Sequence, residues 1–544
     1  MAVTQLPPMA LAAVPGDGGA TQGILRRQAL RESAARTYAR ALPIVPVRAR
    51  GMTVEGADGR RYLDCLSGAG ALALGHNHPV VPDAIRAVLD SAAPLQVLDL
   101  ATPVKDAFTD ELFATLPPGL ASRARVQFCG PAGTDAVEAA LKLVRTATGR
   151  DGLLAFSGAY HGMTAGALAA SGGAPADGVM AAGAPAAGVT RLPFPYDYRC
   201  PFPLGPERGA ELAAHWAEKL LDPPPGGAPH PAGMILEPVQ GEGGLIPAPD
   251  GWLRRMREIT AARSIPLIAD EVQTGVGRTG AFWAVDHSGV EPDVMVLSKA
   301  IGGGPPLAVV VYREDLDVWP PGAHAGTFRG NQLAMAAGAA TLAHVRQPPL
   351  AERAPTVGGR MLERLRRFAA PRPQIGDVRG RGLMIGLELV APETGFATGA
   401  GVAPTPAGPV ANPDHEEAPG GTTPYEASPP EVSPYEASPY EVSPGGTAPC
   451  ADAMRTAAPP AAPALAAAVQ QECLRRGLIV ELGGRHPGVI RLLPPLTITD
   501  EQTEAVLDRL TDALDASIRT AGPHSRELPP TAAPFVPPST GDHR

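Results

Sequence analysis

The sequence predicts an α/β fold in which a largely parallel sheet is covered by helices on both faces, and two observations carry that prediction. Short, continuously apolar runs alternate with helical patterns along most of the chain, the signature of strands connected by crossover helices. Three of the runs, Gly233 to Pro238 (GMILEP), Pro266 to Asp270 (PLIAD) and Asp293 to Leu297 (DVMVL), lack the alternation of a half-exposed strand and so read as strands buried on both sides. Ligands of open α/β sheets bind at the carboxyl ends of strands. Glu237, Asp270 and Lys299 are therefore expected at one crevice.

From the first residue onward, the composition separates core from appendage. Gly and Pro number 63 each in 544 residues, well above average usage, so part of the length is linker rather than core. Residues 1–22 and 523–544 read as terminal tails. Between 391 and 460 the chain turns to Pro, Gly, Ala, Thr and Ser, and a Pro-x-Glu-x-Ser pattern runs four times from Pro424 to Ser443. Such a segment has too few apolar side chains to offset the entropy of ordering. It is expected to be an extended, mobile insert that the fold tolerates.

Charge and cysteine usage exclude several functions. The net charge is -9 and Lys and Arg do not cluster, so neither nucleic acid nor an anionic membrane is indicated. Five scattered cysteines without a Cys-x-x-Cys pair suit reduced thiols in a cytosol, and no signal peptide or eighteen-residue apolar run appears. A cytoplasmic enzyme acting on small molecules is the expectation.

Its chemistry is carried by four motifs. Lys299 stands in Leu-Ser-Lys-Ala-Ile-Gly-Gly-Gly, just past a strand and ahead of glycines, where burial can make an amine nucleophilic. Asp270 opens Asp-Glu-Val-Gln-Thr-Gly; a buried carboxylate there needs a cation, and a protonated pyridine nitrogen is one. Gln273 is three residues on. Gly130-Pro131-Ala132-Gly133-Thr134-Asp135 precedes a helical pattern over Ala136 to Thr146, and the positive end of a helix suits a phosphate. Tyr160, in Ser-Gly-Ala-Tyr-His-Gly, is placed to lie flat on a planar ring. His76 and His78 have no companion cluster and read as loop residues, with no metal site.

In this order, from about residue 38 to 518 without the insert, the motifs resemble the class III pyridoxal-phosphate aminotransferases of fold type I. The resemblance implies a large cofactor-binding domain over 91–345 with a mostly parallel seven-stranded sheet. It also implies a smaller α+β domain built from both chain ends, 23–90 with 346–390 and 461–522. Gly133 and Thr134 would bind the phosphate of pyridoxal 5'-phosphate, Tyr160 would stack on its ring, Asp270 would pair with its nitrogen, Gln273 would approach its hydroxyl, and Lys299 would hold it as a Schiff base. Thr327 would reach the phosphate of the partner subunit, which implies a homodimer with shared active sites. Glu242 and Arg491 match a switch pair: Arg491 would clamp the α-carboxylate of glutamate or 2-oxoglutarate, and Glu242 would neutralise it when an amine without that carboxylate enters.

Within the family, Tyr38 to Pro46, Asp64 to Gly70, Gly75 to Pro79, Gln127 to Pro131 and Tyr196 to Pro201 are similar to the group that moves the 4-amino group of L-2,4-diaminobutyrate to 2-oxoglutarate, giving aspartate 4-semialdehyde and glutamate. In the 4-aminobutyrate enzymes an arginine follows Tyr-His-Gly, whereas Met163 stands here. Arg278 and Arg329 are then the candidates for the distal carboxylate of glutamate. Ornithine or 4-aminobutyrate transfer, and racemisation on the same scaffold, are the alternatives.

Overall fold

A computed structural model describes residues 18–172, 188–202, 206–222, 230–391 and 458–520. The Pro-x-Glu-x-Ser repeat, most of the first expected tail and all of the second, 523–544, lie outside the described residues. Within the first tail, residues 18–22 open a helix, Gly18–Arg31, because Ala, Gln, Leu and Arg follow in a run of good helix formers.

Three strands form a meander near the amino end: β1 (Pro46–Arg50), β2 (Thr53–Gly56) and β3 (Arg61–Asp64). The large sheet comprises β4 (Ala124–Phe128), β5 (Leu153–Phe156), β6 (Val189–Leu192), β7 (Gly233–Leu236), β10 (Leu267–Asp270), β11 (Val294–Leu297) and β12 (Val309–Arg313), with a small hairpin of β8 (Val239–Gln240) and β9 (Ile246–Pro247) leaving it after β7. Its order is β4-β12-β11-β10-β7-β5-β6. Every pair is parallel except those made by β12, which runs antiparallel to β11 and to β4.

The three apolar runs are β7, β10 and β11, and every residue in them is buried. Side chains of these strands and of the neighbouring β5 divide between the two faces of the sheet. Ala155, Ile235, Ile268, Val294 and Val296 pack with the helix Gly133–Thr148, while Leu154, Phe156, Met234, Leu236 and Leu267 meet Trp252, Leu253 and Met256 of the helix Asp250–Ala262. With no face left to water, the strands gain by being apolar throughout. Phe156, Phe194 and Trp252 stack edge to face, their centroids 5.1 to 6.1 Å apart, a geometry that adds about 1 kcal/mol per pair to their burial.

After β12 the chain builds β13 (Ile375–Arg381) and β14 (Met384–Leu389), then β15 (Leu478–Ile479), β16 (Glu481–Gly483) and β17 (Val489–Leu492). β15 pairs with β3, Leu478 beside Leu63, and one residue later β16 joins the antiparallel sheet β13-β14-β17-β16. Strands from before and after the large sheet thus pair with one another. The flanks of the insert are also tied together. Ala391 N donates to Pro460 O at 2.9 Å and Ala462 N to Leu389 O at 2.9 Å, so the chain leaves and returns at neighbouring points beyond β14.

Candidate active site

A cavity of about 270 Å³ opens at the carboxyl ends of β7, β10 and β11, and Gly133, Thr134, Tyr160, Glu237, Glu242, Asp270, Gln273 and Lys299 all line it. Parallel pairing explains the convergence: each of these strands releases its chain at the same edge, so the residue after each strand faces one space.

Asp270 is the last residue of β10 and is buried. Its carboxylate is fixed at both oxygens. Val272 N donates to Oδ1 at 3.1 Å, and His161 Nδ1 lies 2.7 Å from Oδ2. Burial works against a charge on His161, but the hydrogen bond to Asp270 and its charge outweigh it, so the imidazole is held above its ordinary pKa. The His161 ring thus stands behind Asp270 and fixes the aim of its carboxylate. The sequence motifs do not single out His161, whose one signal is its place beside Tyr160.

Lys299 follows β11 by two residues with φ 50°, a left-handed conformation that costs a non-glycine residue energy and is kept only where surroundings enforce it. Ser298 Oγ donates to Leu307 O at 2.8 Å and anchors the turn. Burial pushes the Lys299 ammonium below the usual lysine range; Glu242 opposes this and the nearby Arg491 adds to it. The amine is thereby nearer to its neutral, nucleophilic form.

The helix expected from Ala136 begins earlier, at Gly133, with Ala132 as an extended cap whose N–H is taken by the Asp135 carboxylate at 3.0 Å. Gly133 and Thr134 therefore lie in the first turn, where N–H groups have no partner within the helix. Close packing leaves little choice of residue here. A Cβ on Gly133 would come 3.1 Å from a methyl of Val272, and one on Gly162, whose φ is +128°, would come 2.5 Å from Thr134 Oγ1. Glu237 joins two loops of the wall: Oε1 accepts Tyr160 N and Oε2 accepts Gly241 N, both at 2.9 Å. Its burial drives its pKa up to about 7.

Arg491 does not line the cavity but lies fully buried behind it on β17. Its Nη1 donates to Glu242 Oε2 at 2.5 Å, and Nη2 donates to Gln273 Oε1 at 3.3 Å. Glu242 sits in the turn between β8 and β9 and is 32% exposed, facing the cavity. Gln273 also donates to Ala69 O at 3.3 Å, so its carboxamide bridges Arg491 and the Asp64 to Gly70 loop. Glycine makes room for the guanidinium, because a Cβ at Gly483 would stand 2.4 Å from Arg491 Cδ.

Thr327 lies at an exposed turn away from the cavity liners. Arg278 and Arg329 are not among those liners either. Arg278 is buried against the Pro494 carbonyl, and Arg329 is spent on Asp99 at 2.8 Å and on the His324 carbonyl. Met163 occupies the wall instead. His76 is engaged with Asp64 at 2.8 Å.

The arrangement gathers a buried carboxylate, an amine and the start of a helix around one cavity, with an arginine paired to Glu242 behind it. The family model for class III aminotransferases matches residues 34–410. The chain is 48% identical over 505 residues to the diaminobutyrate--2-oxoglutarate aminotransferase of Rhizobium meliloti (strain 1021), covering 92% of this chain and 93% of that one. It is 40% identical to the enzyme of the same name from Haemophilus influenzae, covering 90% and 94%. Among solved structures, an amine transaminase from an uncultivated Pseudomonas species, in its PLP-bound form, superposes with a TM-score of 0.69 at 28% identity over 90% of this chain and 98% of that one. An (S)-enantioselective omega-transaminase from Thermomicrobium roseum gives 0.72 at 25% over 91% and 98%.

This chain belongs to the class III aminotransferases, on a fold type I scaffold. Among its described residues no helix is long and apolar enough to cross a membrane.

Proposed function

We propose that the protein transfers the 4-amino group of L-2,4-diaminobutyrate to 2-oxoglutarate, reversibly, using pyridoxal 5'-phosphate held by Lys299. The observation that carries this reading is the convergence of Lys299, Asp270 and the start of the helix Gly133–Thr148 on one cavity, with the Glu242–Arg491 pair beside it. When bound, the cofactor supplies an electron sink that lets a C–H bond next to the amine break. The residues present fit it. Asp270, held by His161 and Val272, suits a pyridinium; Gly133 and Thr134 offer amides and a helix dipole to a phosphate; Tyr160 and Val272 offer apolar faces.

Lys299 has two tasks, to hold the cofactor covalently and, once its amine is free, to take a proton from the substrate carbon and return it elsewhere. Its depressed pKa serves the first step of that shuttle. Arg491 receives the α-carboxylate of glutamate or 2-oxoglutarate in a bidentate grip, while Glu242 compensates Arg491 when that carboxylate is absent. The 48% identity to an enzyme named for diaminobutyrate supports the donor. Thr327, exposed beside the exposed Phe328, is placed to serve a second subunit, so the working form is a homodimer. The free cysteines Cys65, Cys129, Cys200 and Cys473 support a cytoplasmic setting.

The test is a coupled assay offering diaminobutyrate, ornithine, 4-aminobutyrate and lysine as donors to 2-oxoglutarate. Diaminobutyrate should give the highest kcat/KM; a better rate with any other donor refutes the assignment, and turnover without a keto acid would refute transfer itself.

A further inference from the structure

Arg491 has two carboxylate partners, and only one of them faces the substrate cavity. Glu481 is its cross-strand neighbour, the two residues paired in register between β16 and β17. Its Oε2 stands 3.4 Å from Arg491 Nη2. The side chain is buried, lies outside the cavity wall, and is held at Oε1 by the Tyr38 hydroxyl at 2.8 Å. Glu242, on the other side of the guanidinium, lines the cavity. Two carboxylates thus share one guanidinium, Glu242 at the cavity and Glu481 behind it.

Diaminobutyrate and 4-aminobutyrate carry the same reacting amine and the same chain; they differ only in the ammonium on the carbon next to the carboxylate. A site that separates them must offer that ammonium an anion. A carboxylate wholly neutralised by an arginine is a poor one, whereas one whose arginine is shared keeps part of its charge available. We infer that Glu481, held by Tyr38, takes up part of the charge of Arg491 so that Glu242 remains free to bind the non-reacting ammonium of a diamino acid. Glu481 is then a positioning and selectivity residue that acts through Glu242. This inference rests on the aminotransferase reading, but not on which diamino acid is preferred.

The experiment compares matched donors, diaminobutyrate against 4-aminobutyrate and ornithine against 5-aminopentanoate, in wild-type holoenzyme, Glu481→Gln and Tyr38→Phe. The ratio of kcat/KM within each pair should fall about tenfold in Glu481→Gln, the scale of a charged hydrogen bond, mainly through a higher KM for the diamino acid. Tyr38→Phe, which removes one hydroxyl at a residue 48% exposed, should move the ratio in the same direction by a smaller factor. General damage lowers both members of a pair alike and leaves the ratio alone. A ratio kept within about twofold in both variants overturns the inference. A wild-type preference for ornithine would refute the proposed donor while leaving this test intact, since the second pair reads the same effect.

Discussion

An amine buried beside an arginine gives up proton affinity, and Lys299 is placed where that loss is useful. Replacing it, Lys299→Ala, should lower transamination by at least about 10³-fold and abolish the yellow chromophore that borohydride fixes to this position; normal turnover would remove the basis of the proposed function. The buried acids Glu237 and Glu271 are both driven up to about 7 by burial, from an ordinary value of 4.5. A raised acid contributes stability that is fully present below 4.5 and is lost as the pH climbs through 7, on the order of 3 kcal/mol for each group. Wild-type stability should therefore fall between pH 5 and pH 8. Glu237→Gln should flatten that decline in urea melts at the two pH values, and an unchanged slope would show that Glu237 titrates elsewhere.

At the scale of elements, the hairpin β13-β14 holds the turn that bears Glu242, and glycine makes room for Arg491. Arg379 Nε donates to Gly244 O at 2.8 Å while its Nη1 meets Asp377 and Glu388 at 2.9 and 2.8 Å, so β13 and β14 hold the turn that bears Glu242. Tyr196 and Arg199 reach the same Glu388, which gives the Tyr196 to Pro201 motif a structural reason. Gly483→Ala would drive a methyl into Arg491 and should raise KM for 2-oxoglutarate about tenfold or more, since overpacking a buried site costs about 1–3 kcal/mol, with a smaller effect on kcat. The insert makes a contrasting case. Its flanks are hydrogen-bonded to each other at Ala391 and Pro460, so replacing residues 392–457 by a short turn should preserve turnover and stabilise the fold slightly, about 0.6 kcal/mol for each halving of the loop. Loss of activity in that deletion would assign the insert a role in catalysis.

For the whole molecule, several exposed apolar side chains lie on two loops that are tied to each other. Leu98, Leu100 and Phe328 are 51%, 65% and 66% exposed, and Val97 N donates to Gly330 O, which binds the first segment to the turn holding Thr327 and Phe328. A patch of this kind is where the proposed homodimer would meet. Phe328→Glu should shift the protein from dimer to monomer in sedimentation and weaken retention of the cofactor together with it, whereas dimers of full stability would place the interface elsewhere. The sequence on its own determined the class of fold and most of the site, because β7, β10 and β11 are buried on both faces and so are written as unbroken apolar runs, and because Lys299 and Asp270 follow such runs directly. It also located the glycine turn ahead of the helix Gly133–Thr148, though not the first helical residue. Only the tertiary structure decided which groups stand behind these: His161 against Asp270, and Glu481 with Tyr38 against Arg491. Those contacts join residues 109, 10 and 443 positions apart, and the same folding turned Arg278 and Arg329 away from the cavity. Local pattern records which face of a strand is buried, whereas the partner of a buried charge is set by strand order and by the register between distant hairpins.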